Sequence, residues 1–193
     1  MPLEIHPATA DRFDDVAALL APGKEDGPAC WCLYFRLSSG EFNRVKGAER
    51  RQTMRRLTES PDAPGVLAYR DGRPVGWCAL GRREDMGRLQ RSRTIPLVAG
   101  DGVWSIVCFV VLPGHRRQGV AGALLEGAVE YARSRGAAVV EAYPAATAGE
   151  RISTAFAYTG TETMFSRAGF TKVSETTAQT GGKPRIVMRK ELR

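Results

Sequence analysis

The stretch Val107-Cys-Phe-Val-Val-Leu-Pro-Gly-His-Arg-Arg-Gln-Gly-Val-Ala-Gly-Ala-Leu-Leu125 decides how this chain is read. It closes an apolar run, Val103–Leu112, that has the length and composition of a buried strand and stops at Pro113-Gly114. A short basic loop follows. Small residues then open an amphipathic helix with Val120, Leu124, Ala128 and Val129 near one face, and Gly136 is its stop. A strand, a glycine turn and a helix N-terminus in this order form an anion-binding device. Backbone N–H groups point at the ligand and the helix dipole adds positive potential. Gly119 has no Cβ, so an anion can approach its backbone closely. Arg116 and Arg117 offer forked hydrogen bonds to phosphate oxygens. No Gly-Lys-Ser/Thr follows and G-x-G-x-x-G is absent, so the loop is neither a Walker loop nor a dinucleotide fingerprint.

Working outward, Leu3–Ala8 reads as a first strand and Arg12–Leu20 as a helix with Phe13, Val16, Ala17 and Leu20 on one face. Residues 21–28 read as a loop, and Cys30–Leu37 as an aromatic-rich helical turn or irregular wall. A charged helix is expected over Asn43–Glu59. Val66–Tyr69 and Pro74–Leu80 flank Asp71-Gly72, a hairpin signal. Gly81–Thr94 is a basic connection. Ala138–Tyr143 reads as a strand, Thr154–Ala168 as a helix, and Phe170–Glu175 and Pro184–Lys190 as strands joined by an exposed tip, Thr176–Lys183. The order β-α-α-β-β-β-α-β-α-β-β predicts one mixed α/β domain over residues 1–193.

A hydrophobic fraction of 43% supports a packed core, and a net charge of +7 favours anionic partners. Neither feature chooses between a coenzyme and a nucleic acid. No apolar run is long enough to span a bilayer, and Met-Pro-Leu-Glu-Ile-His lacks the marks of a signal peptide. A cytoplasmic location and reduced cysteines are therefore expected. Cys30 and Cys32, with the distant Cys78 and Cys108, have poor zinc-ligand spacing, so no metal site is expected.

Arg116-Arg-Gln-Gly-Val-Ala121 has the form R-x-x-G-x-A, which resembles the acetyl-CoA-binding motif of the GNAT superfamily of N-acetyltransferases. The resemblance is strongest over Trp104–Tyr143, and Met164-Phe-Ser-Arg-Ala-Gly-Phe170 resembles the family's late helix ending in Gly-Phe. It implies a mixed, mostly antiparallel, twisted central sheet flanked by helices. It also implies direct acetyl transfer from acetyl-CoA, without a metal, to the primary amine of a small molecule or peptide. On this reading the N–H near Phe109 polarises the thioester carbonyl. Val110 and Val111 follow the pantetheine arm, and Arg116, Arg117, Gln118, Gly119, Val120, Ala121 and Gly122 surround the pyrophosphate. Related domains are monomers or homodimers.

Two positions depart from the family's pattern. Ser105 stands where many relatives carry a glutamate base, and it could anchor a proton-relaying water. Phe165, counted with the coenzyme contacts, stands where many carry a tyrosine acid. Glu141 is the substitute candidate for the base, and Tyr143 and Tyr158 are candidates for the acid. His115 lies at the phosphate end, and His6 reads as structural. Trp31 and Trp104 are the acceptor-pocket candidates; Phe35 and Trp77 read as core. Arg82, Arg83, Arg88, Arg91 and Arg93 form a basic cluster, a solvated face or a lure for an acidic acceptor or phosphates. Two rival readings stand beside the enzyme. One is a coenzyme-binding module of the same fold with little or no turnover, which the two departures would suit. The other is a nucleic-acid-binding protein, for which no motif speaks.

Overall fold

The computed structural model describes residues 2–21, 29–150, 152–153 and 155–192. Asp71 and Gly72 turn the chain with φ of 53° and 71°, joining β2 (Gly65–Arg70) to β3 (Arg73–Arg82). Positive φ at both central residues suits the right-handed twist of the paired strands. Around this hairpin lie β1 (Glu4–Pro7), β4 (Val103–Val111), β5 (Val139–Ala142), β6 (Thr171–Thr180) and β7 (Lys183–Glu191), in the order β1-β2-β3-β4-β5-β7-β6. All neighbours are antiparallel except β4 and β5. This is the mixed, mostly antiparallel sheet that the family resemblance implies.

Both faces of the sheet are covered, because its inner strands are apolar on both sides. Val66, Ala68, Cys78 and Leu80 pack with α5 (Val120–Ser134) and α6 (Glu162–Arg167). Leu67, Tyr69, Trp77 and Ala79 face a second cluster. That cluster is built with α1 (Phe13–Leu20), α3 (Gly47–Thr58), α4 (Gly87–Gln90) and the irregular wall Trp31–Phe35. Close packing of α5 on β1 depends on Gly127, where an added Cβ would lie 2.3 Å from Ile5.

Three expected boundaries move. The charged helix is two: α2 (Ser39–Arg44) starts at a capping box between Ser38 and Glu41, and the chain extends at Val45 before α3. Arg50 fills that break, donating to the carbonyls of Val45 (2.8 Å), Phe42 (2.8 Å) and Ala29 (3.1 Å). The late helix begins at Glu162, capped by Thr161, rather than near Thr154, itself outside the described residues. The expected tip is strand: β6 and β7 continue to a tight turn at Gly181-Gly182. Of the expected loop 21–28, residues 22–28 also lie outside the described residues. None of the described helices is long and apolar enough to cross a membrane.

Candidate active site

The cleft arises from two events at one point of β4. Pairing with β5 ends at Ile106 opposite Ala142, and a bulge opposite β3 leaves Val107 as an extra residue. The bulge changes which face each residue serves. Trp104 and Ile106 pack toward α5; Val107 and the half-buried Cys108 both belong to the other face; Phe109 again faces α5. Beyond this point β4 pairs, among the described residues, with β3 alone.

The ladder's phase identifies the groups at the open edge. The Leu112 N–H bonds to the Val75 carbonyl at 3.0 Å. Antiparallel pairs alternate between bonded and non-bonded. Val110 therefore bonds to β3, while Phe109 and Val111 turn their N–H and C=O outward. The Val111 carbonyl accepts from Arg116 Nε at 3.0 Å.

The open edge leads to the N-terminus of α5. Gly119 is its N-cap with φ 81°, and no side chain caps the helix. Arg117, with φ 58°, also lies in the left-handed region. The first N–H groups of α5 thus have no capping side chain, the arrangement that suits an anion. A 710 Å³ cleft joins these parts. Phe109, Val110, Val111, Arg116, Arg117, Gly119, Val120, Ala121 and Gly122 all line it, with His115 at the loop end and Tyr158, Thr161, Met164 and Arg167 across from β4.

Two expected contacts lie elsewhere. The Gln118 side chain turns away from the cleft, accepting from Arg70 and donating to the Gly114 carbonyl at 2.8 Å. It braces the loop from behind. Phe165 is fully buried beneath the cleft, 6.1 Å from the Phe109 ring and 5.0 Å from the Phe170 ring. Arg167, by contrast, lines the cleft although nothing in the sequence set it apart. A cation in the last turn of a short helix reads as an ordinary partner of the helix dipole.

Three of the four catalytic candidates come together, but away from both cavities. Tyr143 Oη donates to Glu141 Oε1 at 2.6 Å and lies 2.9 Å from Ser105 Oγ. Glu141 Oε2 is held by Arg189 Nε at 2.6 Å and Arg83 Nη1 at 3.3 Å. The same two arginines reach the carbonyls of Val98 and Ala99, fastening the segment before β4. Ser105 and Glu141 have no exposed surface, and Tyr143 is 1% exposed. Burial, followed by the Glu141 charge, holds the Tyr143 hydroxyl well above the usual tyrosine range.

Tyr158, the fourth, stands in the wall between the cleft and a second cavity of about 1060 Å³. Its hydroxyl accepts from Arg185 Nη2 at 2.9 Å. Burial raises its pKa, with the Arg185 charge pulling the other way.

The second cavity is assembled from four separate parts of the chain: the turn around Tyr34, Phe35 and Ser38, the segment Arg88–Ile95, Ala155–Tyr158, and β6–β7. One backbone bond, Thr177 N–H to the Thr94 carbonyl at 3.0 Å, joins the second part to the fourth. Neither Trp31 nor Trp104 lines it, which corrects the expectation for both. Trp31 stacks on Phe13 at 6.2 Å, and Trp104 meets the edge of Tyr131 at 6.0 Å beneath α5. Each is 1% exposed and belongs to the core.

The basic cluster is also divided. Arg82 pairs with Asp62 and Arg83 with Glu141, whereas Arg88, Arg91 and Arg93 line the cavity. Among the described residues, no group of three or more His, Cys, Asp or Glu side chains could hold a metal ion.

A family model described as the acetyltransferase (GNAT) family matches residues 31–157. A ribosomal-protein-alanine N-acetyltransferase from Brucella melitensis superposes with a TM-score of 0.58 at 19% identity, covering 98% of this chain and 99% of that one. PaiA N-acetyltransferase from Thermoplasma acidophilum, solved with coenzyme A, gives 0.54 at 14% identity and covers all of both chains. A family acetyltransferase from Streptococcus pneumoniae gives 0.57 at 16% identity, again over both whole chains. At such identities these structures speak to the fold. No curated protein matches significantly.

Proposed function

The chain belongs to the GNAT acetyltransferase family, and from that premise we propose that it transfers an acetyl group from acetyl-CoA directly to a primary amine. One observation carries the reading. The outward edge of β4 at Phe109 and Val111 runs along a single cleft into the uncapped N-terminus of α5. An extended pantetheine arm ending in a pyrophosphate needs that order of groups: strand-edge donors and acceptors, then a cluster of N–H groups.

Acetyl-CoA supplies a thioester whose carbonyl carbon an amine can attack. The protein's part is to orient, to donate and to exclude. Phe109 N–H donates to the thioester oxygen as negative charge builds there. Val111 holds the arm through its N–H, and its carbonyl becomes available when Arg116 turns to phosphate. Gly119, Val120, Ala121 and Gly122 present the N–H cluster, with Arg117 and Arg167 completing the charge balance.

The amine enters from the second cavity. As the new C–N bond forms, the C–S bond breaks. The neutral amine attacks; Tyr158 gives its proton to the departing sulfur and is reprotonated from solvent, and solvent also takes the proton that the new C–N nitrogen releases. Tyr158 suits this part by position, in the wall between the cleft and the second cavity, and because the Arg185 guanidinium beside its hydroxyl opposes the burial that raises its pKa and steadies the phenolate left behind. We assign no base to Glu141, since it lines neither cavity and a substrate amine cannot reach it. With Ser105 and Tyr143 it forms a brace under the site. Without an enzyme base, the pH profile of kcat/KM should follow the ionisation of whichever amine is offered.

The test is a calorimetric titration with acetyl-CoA, coenzyme A and NADH. The expected result is saturable binding of the first two and none of NADH. No binding of either coenzyme form would overturn the reading.

A further inference from the structure

Two arginines of β7 are equally buried and differently served. Arg189, 8% exposed, is neutralised by Glu141 at 2.6 Å. Arg185, 5% exposed, has no carboxylate partner among the described residues. Its guanidinium donates only to neutral groups: Thr159 Oγ1 at 2.8 Å, Tyr158 Oη at 2.9 Å and the Tyr143 carbonyl at 3.3 Å. Its charge also lies 5.2 Å from the Tyr158 ring and 6.0 Å from the Phe35 ring. A buried charge without a counter-ion is costly; Arg50 meets that cost inside the core by donating to three carbonyls, whereas Arg185 faces an open cavity through which a ligand can bring the counter-ion.

Arg185 lines the second cavity, whose described walls hold three further arginines, Arg88, Arg91 and Arg93, and no aspartate or glutamate. The nearby Glu41 is engaged by Ser38 in the α2 capping box and feels Arg91. Arg88 is spent on the Tyr34 carbonyl and Ser39. The field of the cavity is thus positive, with Arg185 as its buried end.

Resting on the acetyl-transfer reading, we propose that the acceptor is a small amine carrying a compact anion, a carboxylate or a phosphate, and that Arg185 receives that anion. Three of its five N–H groups go to Thr159, Tyr143 and Tyr158, which leaves the Nε–H and one Nη2–H on the same edge of the guanidinium to serve the anion. Arg185 lies one hydrogen bond from Tyr158, the wall shared with the coenzyme cleft. Anion and amine are therefore only a few bonds apart in the acceptor, as in an amino acid or an aminoalkyl phosphate. Polyamines and aminoglycosides carry the wrong charge for this cavity.

The experiment measures product binding, which needs no turnover. Protein saturated with coenzyme A is titrated with the N-acetyl derivatives of the common amino acids, each beside its neutral amide, and with N-acetyl-2-aminoethyl phosphate and N-acetylputrescine. The expected result is at least one anionic product bound tenfold or more tighter than its neutral partner and than N-acetylputrescine. Whether acid or phosphate wins identifies the source of the anion. Arg185→Gln should bring the acid-to-amide ratio near one. Arg93→Ser, on the exposed rim, should lower it severalfold without touching the buried site. Equal binding of acids and amides, tighter binding of N-acetylputrescine, or no binding of any anionic product would overturn the proposal. Should the acetyl-CoA titration fail, the same series is run on unloaded protein, so loss of the donor reading and loss of this one are told apart.

Discussion

The cleft and the second cavity meet at Tyr158 and are built on opposite plans. The cleft is lined mainly by one continuous run, Phe109–Glu126, set against residues 157–168, and on the proposed reading its binding groups are the backbone N–H groups of β4 and α5. The cavity is lined by four segments far apart in sequence, tied together by bonds such as Thr177 N–H to Thr94, Arg88 to the Tyr34 carbonyl and Thr180 to the Phe156 carbonyl. A backbone site recognises what every relative must bind, because N–H groups do not depend on residue type. A side-chain site recognises what one protein binds, and here its character is four arginines. Family membership therefore speaks for the donor and says little about the acceptor.

The sharpest break of this comparison is at Gly119. Its Cβ position opens onto empty space, so Gly119→Trp fills the anion cradle instead of the core. Acetyl-CoA affinity should fall by roughly 1,000-fold, about 4 kcal/mol, in calorimetry. The left-handed backbone should cost about 1–2 kcal/mol of stability. Wild-type affinity would mean the pyrophosphate sits elsewhere.

Next is the buried brace, which belongs to neither cavity. Glu141→Gln leaves Arg189 and Arg83 without their carboxylate and should cost about 3 kcal/mol of stability, read as a lower Tm. Activity per folded molecule should persist with its pH profile unchanged. A folded, stable variant with lost turnover would restore Glu141 as the base.

Tyr158, the shared wall, should act on chemistry more than on binding. Tyr158→Phe should lower kcat about 100-fold, the low end for a general acid, with little change in acetyl-CoA affinity. The sign of its pKa shift adds a second check. A raised pKa keeps the donor form present as pH rises, so wild-type kcat should decline only above the ordinary tyrosine range near 10. A decline beginning well below that range would remove Tyr158 from the role.

The smallest effect belongs to Gln118, which supports the loop without entering the cleft. Gln118→Ala removes its link to Arg70 and should weaken acetyl-CoA binding about fivefold, near 1 kcal/mol. A loss as large as that at Gly119 would put Gln118 among the direct contacts.

The legible parts were those whose physics is local. The turn at Asp71-Gly72 and the α5 periodicity depend on neighbours in the chain, and both stood in the sequence. So did the glycine loop. The capping box at Ser38 and Glu41 was equally local, yet the charged run after it hid the break at Val45, because the break is closed by the side chain of Arg50, reaching back from the first turn of α3. Trp31 and Trp104 lie beside site elements in sequence but point into the two cores. Arg185 and Arg189 sit four residues apart on one strand and look alike in sequence; only the fold gives one a carboxylate and leaves the other facing a cavity.

By itself, then, the sequence determined the α/β order, the hairpin and the glycine loop between β4 and α5, because periodicity, turn chemistry and helix termini act over a few residues. Tertiary structure alone decided that Ser105, Tyr143 and Glu141 form a buried brace, that Tyr158 divides two cavities, and that the second cavity is cationic. Those outcomes depend on which distant strands become neighbours, on the single-residue bulge at Val107, and on which buried charges meet a partner, none of which a local pattern records.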